Sequence, residues 1–454
     1  MKNASTPINN NETKIPSDQV VGGQKQDLFS NNGLFSGKHI LFATHLYAPA
    51  TGGAESLARN MAEACKLAGN KVTIVTTNAY STEAFFLCDP RRVNKSRESL
   101  NGVDIIRLSA TRRFRRLLNF CAGVANRIPY PMRGWAKTLR FGPRNKRFVS
   151  RILEQKPDLV VGMPFPMLNT YYAWKAARKL NVPFVLVPCF HLADPTSFSN
   201  PFLFRILRRA ELVIALTETE RNYFIEKLMI KPERVTVIPP GIGPSRHATV
   251  RSKKEIRRLM GIEEAHVVLC LGQHGRHKRI LEVIKAMEYV WRILPDTALV
   301  IAGGVTEYSR ILKKAARKTM AKAKNAKIYF YDNFQADQKD DFYRSADLFV
   351  SLSEHESFGI VFIEAMQHGL PAIASFRSVA ASIVIEYQCG LLVDPGNPSG
   401  LAGAVIEILK DPDISLVYGK NARRKVVRKY SSKAVTRRLL KVLGDVLQSA
   451  GRPT

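Results

Sequence analysis

Short apolar runs rich in β-branched residues alternate with helical stretches along most of this chain, and this alternation constrains its fold more than any other feature. In the first half, the predicted strands are residues 39–44, 72–77, 103–108, 158–162, 184–188, 212–216 and 235–239. Continuous apolar runs separated by helices are typical of parallel strands that are buried on both faces. The pattern therefore predicts an α/β fold with a doubly wound parallel sheet.

The same alternation begins again after residue 252, with predicted strands at 267–272, 298–302, 328–331, 348–352, 372–375 and 391–393. A length of 454 residues suits two domains. Such sheets bind ligands at the carboxyl ends of their strands, so two of them are expected to enclose a cleft. We predict a disordered tail (1–36), an N-terminal Rossmann-like domain (37–244), a C-terminal one (245–425) and a final helix (426–454).

The formal net charge of +31 is concentrated in three stretches without any acidic residue, 105–153, 310–327 and 420–441. They hold 31 of the 69 Lys and Arg, so the other 38 balance the 38 Asp and Glu. The last two are interpreted as solvated helix faces. In 105–153, aromatic residues such as Phe114 and Trp135 are interleaved with arginines, as in a segment that lies on an anionic membrane. A core segment with a basic exterior and a nucleic-acid contact remain alternatives.

The cysteines and the N-terminus bear on the compartment. The six cysteines are scattered, without a CxxC pair or metal-ligand spacing, and most lie in apolar runs, which favours a reducing cytoplasm. The first 36 residues lack the apolar core of a signal peptide, and no run of 18 apolar residues occurs. We therefore expect a cytoplasmic protein that is peripheral at the inner face of the membrane.

Two glycine-containing loops follow predicted strands and precede helices, the arrangement in which helix N-terminal amides bind an anion. The first contains Gly52 and Gly53 in TGGAE, although a tight turn alone would also explain them. The second, GQHGRHK, places Gln273, Arg276 and Lys278 just before a helix. Cations oppose the positive end of a helix dipole, so a bound pyrophosphate would relieve the conflict, whereas a solvated charge run is the alternative.

The strongest signal is SLSEHESFGIVFIEAMQHGLPAIAS, residues 351–375. Glu356 falls in a loop after a predicted strand, and Glu364 interrupts the apolar face of the following helix. A buried carboxylate needs a partner, which a ribose diol can supply, or else an arginine or a backbone donor. The backbone amides of Phe358, Gly359 and Ile360 are candidates for phosphate oxygens.

The run EHESFGIVFIEAMQHGLPAIAS resembles the E-x7-E signature of the retaining GT-B glycosyltransferases of family 4. The segments TGGAE, FVLVPCFH, VTVIPPGI, GQHGRHK, LVIAGG and CGLLVDPGNPSG follow in the order of that family and span most of residues 38–445. The resemblance implies two Rossmann-like domains around a nucleotide-sugar, an N-terminal acceptor domain and a final helix that returns to it.

By this resemblance, Glu364 holds the nucleotide ribose, Glu356 contacts the donor sugar and Lys278 binds the donor diphosphate. Gly52 and Gly53 match the loop near the reacting phosphate. His191 matches a histidine that contacts the donor sugar or the acceptor. The resemblance thus implies catalytic roles for His191, Glu356 and Lys278.

Two departures from the family pattern concern the donor site. Gln273 stands where an arginine usually follows the strand glycine, which leaves Arg276 or His277 as substitutes. Ser378-Val379 and Ser382 stand in place of the usual Gly-Gly pair and glutamate after the P-x-x-A-S segment.

The expected reaction is transfer of a hexose from a UDP- or GDP-sugar to a glycan or lipid-linked acceptor. The one D-x-D, at 411–413, looks like an ordinary helix start, so we expect catalysis without a metal or cofactor. Lys278, Arg276 and helix N-terminal amides are expected to stabilise the leaving group. The rival predictions are a non-catalytic scaffold, a GT-B epimerase or phosphorylase, and a basic nucleic-acid-binding protein. No nucleic-acid motif accompanies the basic stretches, so nucleic acid is not expected as a partner.

Overall fold

The computed structural model describes residues 35–450 except 51, 87–90, 110–137, 139–141, 193, 195–197, 244–250, 336–337 and 355. The described chain forms two α/β units, one around an eight-stranded sheet and one around a six-stranded sheet. The predicted fold class is confirmed. Almost all of the predicted tail 1–36 and most of the basic segment 105–153 lie outside the described residues.

The N-terminal unit alternates strands and helices around one sheet of order β3-β4-β2-β1-β5-β6-β7-β8, parallel except for β3. Its elements are β1 (His39–Ala43), α1 (Gly53–Leu67), β2 (Lys71–Thr77), α2 (Glu83–Phe86), β3 (Arg97–Leu100), β4 (Val103–Leu108), α3 (Arg147–Gln155), β5 (Leu159–Gly162), α4 (Leu168–Leu180), β6 (Phe184–Leu186), α5 (Pro201–Arg209), β7 (Leu212–Ala215), α6 (Glu218–Glu226) and β8 (Val235–Val237).

The C-terminal unit repeats the plan with a wholly parallel sheet of order β11-β10-β9-β12-β13-β14. Its elements are α7 (Lys253–Leu259), β9 (His266–Leu271), α8 (Ile280–Ile293), β10 (Thr297–Gly303), α9 (Ser309–Met320), β11 (Lys327–Asp332), α10 (Lys339–Ser345), β12 (Leu348–Ser351), α11 (Ile360–Gln367), β13 (Ala372–Ser375), α12 (Ala380–Tyr387), β14 (Gly390–Val393) and α13 (Pro398–Lys410).

Two long helices close the chain, α14 (Pro412–Tyr430) and α15 (Ser432–Ala450). Asp411 caps α14, since its side chain accepts hydrogen bonds from the amides of Asp413 and Ile414. The D-x-D is therefore a helix start. Helix α14 packs on α11 of the C-terminal unit, whereas α15 contacts α1 of the N-terminal unit. The chain therefore returns to its first unit through the break at Ser431.

The apolar residues of the predicted strands form the cores on both faces of each sheet. The central strands β1, β9 and β12 are almost wholly buried. Four of the cysteines, Cys65, Cys189, Cys270 and Cys389, are buried and free, which agrees with their position in apolar runs. Among the described residues, no helix has the length and apolar character needed to cross a bilayer.

Candidate active site

Both sheets reverse their strand order between two central strands, which is where doubly wound sheets bind ligands. The reversal lies between β1 and β5 in the first sheet and between β9 and β12 in the second. The loops after β1, β9 and β12 carry most of the residues that the sequence selects. These loops approach one another: a Cβ added to Gly53 would lie 3.9 Å from Ile360 Cδ1, across the two units.

The loop after β9 is held in a fixed shape by close backbone packing. Gly272, directly after β9, has a φ of 149°. A Cβ on Gly303 would lie 1.7 Å from the Gly272 carbonyl oxygen, so only glycine fits at this end of β10. The His274 side chain points inward, with Nδ1 3.1 Å from Ser309 Oγ. Burial lowers the pKa of His274, so this residue is a neutral anchor of the loop.

Lys278 and Glu356 form an ion pair that joins the loop after β9 to the loop after β12. Their side chains are only 19% and 12% exposed, so the contact is shielded from most solvent screening. Each charge therefore neutralises the other. An incoming anion can replace Glu356 as the partner of Lys278.

The other polar residues of this loop point to different surroundings. Arg279 donates to Glu282 (3.1 Å) and Glu354 (2.8 Å), so it belongs to an ion-pair network at the start of α8. Gln273 and Arg276 are exposed. Part of the charge run is thus ion-paired, while Arg276 remains directed to solvent.

Helix α11 begins at Ile360, directly after Gly359, whose φ of 83° is left-handed. A Cβ on Gly359 would lie 3.0 Å from Glu356 Oε2, so this glycine also gives room to the carboxylate. Phe358 is buried, with its ring 5.6 Å from that of Tyr430 in α14. The start of α11 therefore lies beside Glu356.

Glu364, one helical turn further along α11, accepts hydrogen bonds from Lys339 Nζ (2.6 Å) and Tyr343 Oη (2.8 Å). Its side chain is 21% exposed, so it is half-buried and not fully buried as the helix pattern suggested. Burial raises the pKa of Tyr343 well above its usual value, and the neighbouring Glu364 carboxylate raises it further. The phenol therefore stays protonated and donates its hydrogen bond. A carboxylate accepts about four hydrogen bonds, so capacity for a ribose diol remains.

On the N-terminal side, Gly52 and Gly53 are exposed at the start of α1. A Cβ on Gly52 would lie 2.2 Å from Glu55 Oε2, so the Glu55 carboxylate folds back over the first turn. His45 Nε2 lies 3.4 Å from Glu55 Oε1, and burial lowers the pKa of His45. A neutral histidine thus supports the carboxylate at this helix N-terminus.

His191 follows β6 and is half-buried, with its ring 4.8 Å from that of Phe198. The preceding backbone is fixed by Glu220, which accepts hydrogen bonds from the amides of Phe190 (3.0 Å) and Leu216 (2.6 Å). Burial raises the pKa of Glu220 to about 8, although the hydrogen bonds from these amides act to lower it.

The two serines that depart from the family pattern lie at the start of α12, with Ser378 two residues before the helix and Ser382 in its first turn. Ser378 is buried and its hydroxyl accepts from the Ala380 amide at 3.1 Å. Ser382 is exposed and its hydroxyl donates to the Val379 carbonyl at 3.0 Å. Both hydroxyls therefore bond locally within this helix start.

Sequence reasoning missed several residues that complete the site, namely His45, Glu55, Glu220, Lys339 and Tyr343. His45 had a readable signal, since it follows the carboxyl end of a central strand. No sequence pattern indicated Lys339 and Tyr343, because they lie in α10, more than 20 residues before their partner Glu364 in α11.

Together these groups form a candidate anion site with two flanking carboxylates. The Lys278 ammonium and the amides of α11 present positive charge at one place, which suits a diphosphate. Glu356 lies in the loop after β12 and Glu364 in α11, and both carboxylates can accept hydrogen bonds from hydroxyl groups. Among the described residues, no group of three or more His, Cys, Asp or Glu is arranged to hold a metal ion.

Two family models match adjacent parts of the chain. Residues 51–246 match the model described as Glycosyltransferase Family 4, and residues 252–425 match Glycosyl transferases group 1.

One curated relative is N-acetyl-alpha-D-glucosaminyl L-malate synthase of Bacillus anthracis, 23% identical over 318 residues, which are 68% of this chain and 81% of the relative. Alignments with the next four curated relatives span 48 to 58% of their length.

Solved structures show the same fold. Sucrose-phosphate synthase from Thermosynechococcus elongatus superposes with a TM-score of 0.71 at 21% identity, over 91% of this chain and 100% of that one. Anabaena Alr3699/HepE in complex with UDP and glucose gives a TM-score of 0.66 at 17% identity, over 89% and 99%.

Proposed function

The chain belongs to the glycosyltransferases of family 4, and from this premise we propose that it transfers a hexose from a nucleoside-diphosphate sugar to an acceptor, with retention of anomeric configuration. The observation that carries the proposal is the convergence of Lys278, Glu356 and the N-terminus of α11 at the point where the strand order reverses. A cation, backbone amides and a carboxylate at one place match a diphosphate linked to a polyhydroxylated sugar.

The donor diphosphate takes Glu356's place as the partner of Lys278. Negative charge builds on the leaving nucleoside diphosphate as the glycosidic bond breaks, so Lys278 and the amides of Phe358, Gly359 and Ile360 stabilise the transition state. In this proposal no metal is required. Gln273 and Arg276, both exposed near this loop, complete the phosphate contacts when the donor is bound.

Once released from Lys278, Glu356 accepts hydrogen bonds from the donor sugar hydroxyls. Glu364, which Lys339 and Tyr343 hold in one orientation, accepts them from the ribose diol. The solved structure of Alr3699/HepE contains UDP and glucose, which favours a UDP-sugar over a GDP-sugar here.

The acceptor binds the N-terminal domain, residues 37–244, and the donor binds the C-terminal domain, residues 245–425. Gly52 and Gly53 leave the start of α1 open toward Ile360, near the reacting phosphate. His191 positions the sugar or the acceptor and is itself placed through Phe190 and Glu220. Helix α15 ties the acceptor domain to the donor domain.

The acceptor is a glycan or lipid-linked glycan at the inner face of the membrane, where the basic segment 105–153 docks a cytoplasmic, peripheral protein. The sequence supports this proposal, because aromatic and basic residues are interleaved in that segment.

A donor screen followed by two substitutions tests the site. Thermal shifts with UDP-, GDP- and ADP-sugars select the donor, and transfer is then measured for Lys278→Ala and Glu364→Ala. We expect about 10²-fold lower turnover for Lys278→Ala, since it removes charge stabilisation in the transition state. Glu364→Ala is expected to raise the donor Kd about tenfold or more, through loss of charged hydrogen bonds.

The matched controls are Lys285→Ala in α8 and Glu407→Ala in α13, which remove the same charges from exposed positions. Turnover near that of the wild type in both site variants would refute the assignment. Donor binding without transfer by the wild type would instead support a non-catalytic scaffold.

A further inference from the structure

A cavity of about 580 Å³ lies at the edge of the C-terminal sheet that is opposite the candidate active site. It is bounded by Asp347 and Pro371, which directly precede β12 and β13, and by the first turns of α14. The active-site loops follow the carboxyl ends of the strands, whereas this cavity meets their amino ends. Its volume falls in the range of small-molecule sites, about 300–1,000 Å³.

The polar lining of the cavity carries an excess of positive charge. Lys253, Arg344, Lys420 and Arg423 line it, against the single carboxylate of Asp347. That carboxylate is already occupied, since it accepts from Lys253 (2.8 Å), Arg257 (2.5 Å) and the Val267 amide (2.8 Å). Lys420 and Arg423, one helical turn apart on α14, are exposed.

Apart from His368, Ser415 and Tyr343, the rest of the lining is apolar or glycine. Leu370 and Pro371 form the buried floor, and Leu416 stands at the rim with 53% of its surface exposed. A bare ion would leave this apolar surface in contact with water. The lining therefore fits an anion that is attached to a carbon-containing body.

One wall of the cavity is formed by Tyr343 and His368, which also contact Glu364. The His368 ring stacks on the Tyr343 ring with centroids 5.2 Å apart, and both residues line the cavity. Tyr343 donates to the Glu364 carboxylate, and His368 Nδ1 lies 2.9 Å from the Glu364 carbonyl oxygen. A ligand in the cavity is thus separated from Glu364 by one layer of side chains.

We propose that this cavity binds a small organic phosphate and that its occupation tightens donor binding. Lys420 and Arg423 hold the phosphate, which at about −1.5 to −2 charges matches the cationic excess better than a carboxylate does. The organic body covers Leu370, Pro371 and Leu416. By ordering His368 and Tyr343, the ligand holds Glu364 in place for the ribose, a coupling of about fivefold or more.

Direct titration tests the site without reference to catalysis. Phenyl phosphate and inorganic phosphate are titrated into the full chain by calorimetry, in the wild type and in Lys278→Ala. We expect saturable binding in both proteins, with phenyl phosphate tighter than inorganic phosphate. The double variant Lys420→Glu/Arg423→Glu is expected to bind phenyl phosphate at least tenfold more weakly.

The matched control is Arg424→Glu/Arg428→Glu, which makes the same charge change at exposed positions of α14 that do not line the cavity. It is expected to bind within twofold of the wild type. Absence of saturable binding, loss of binding in Lys278→Ala, or equal weakening in this control would each overturn the proposed site.

The coupling, unlike the binding site, rests on the transferase function proposed above. It is measured as the donor Kd with and without saturating phenyl phosphate. An unchanged donor Kd refutes the coupling, and a chain that binds no nucleotide-sugar refutes the proposed function while the phosphate titration still decides the cavity.

Discussion

At the residue scale, the two carboxylates of the E-x7-E signature are each held by a lysine. Glu356 pairs with Lys278, which the resemblance assigned to the donor, and Glu364 pairs with Lys339, which no motif indicated. The sequence thus predicted that Glu364 needs a partner but not which one. The partner arrives from α10, and contacts between distant elements leave no spacing signal in a single sequence.

Glu220 was not predicted for the same kind of reason, although its local role was readable. Thr217 and Glu220 have the spacing of a capping box, and the Glu220 amide does donate to Thr217 Oγ1 at 3.0 Å. The Glu220 carboxylate, however, also accepts a hydrogen bond from the amide of Phe190, in the loop after β6. A helix cap therefore also fixes the backbone before His191.

Glu220 makes stability depend on pH. Its pKa is about 8 in the folded protein against 4.5 for the ordinary group, so the folded state holds a proton that the unfolded state releases. This contribution to stability is complete below about pH 4.5 and is lost as the pH rises through about 8. Glu220→Gln, which is neutral at every pH, is expected to flatten the fall in unfolding free energy across this window, as measured by urea melts.

Glu218→Gln serves as the control, because Glu218 lies exposed in the first turn of the same helix. It should keep the wild-type slope. If Glu220→Gln retains that slope too, Glu220 is not the group responsible.

At the element scale, hydrophobic periodicity predicted thirteen of the fourteen strands of the described chain and missed β3. That strand is short and polar, with the sequence RESL, and it pairs antiparallel at the edge of the sheet. A second signal was present in the Asn101-Gly102 pair, both with positive φ, as in a two-residue hairpin turn. Turn chemistry identifies this strand where periodicity does not.

The crossing between the two units is a second element-scale feature. The Ile242 amide donates to the Tyr430 carbonyl and the Ser432 amide to the Ile242 carbonyl, each at 2.8 Å. The outgoing and returning chains are thus hydrogen-bonded side by side. Gly241 has little room here, since a Cβ would lie 3.2 Å from both Ser432 Cα and Val435 Cβ.

Gly241→Val is expected to destabilise the protein by about 1–3 kcal/mol, because the larger side chain separates α15 from the crossing. Thermal and urea unfolding measure the change. Gly243→Val is the control, since a Cβ there meets nothing within 4 Å, and it should cost less than about 0.5 kcal/mol. Equal effects of the two substitutions would show that the crossing is not tightly packed.

At the scale of the whole molecule, the net charge has a local origin. The basic stretch 310–327 covers α9, where Lys314, Arg317 and Lys318 are exposed, as predicted for a solvated helix face. The basic residues of 420–441 lie exposed on α14 and α15 in the same way. The stretch 105–153 differs in sequence, since it alone interleaves its charge with many aromatic residues.

Membrane docking through 105–153 predicts binding to anionic vesicles that falls with salt. Arg112→Glu/Arg113→Glu/Arg115→Glu is expected to weaken co-sedimentation with anionic vesicles about 100-fold, at roughly 1 kcal/mol for each residue. The same triple reversal at Lys314, Arg317 and Lys318 is the control and should retain binding. Equal loss in both variants, or equal binding to neutral vesicles, would contradict docking by this segment.

The hydrogen bonds between Ile242 and the returning chain at Tyr430 and Ser432 also determine what holds the two units together after proteolysis. A peptide cut between Gly243 and Ser252 would divide the chain into two fragments, and α15, which packs on α1 of the first fragment, would belong to the second. The two fragments would then be held together by the packing of α15 on α1 and by the hydrogen bonds from Ile242 to Tyr430 and Ser432, with no covalent bond between them.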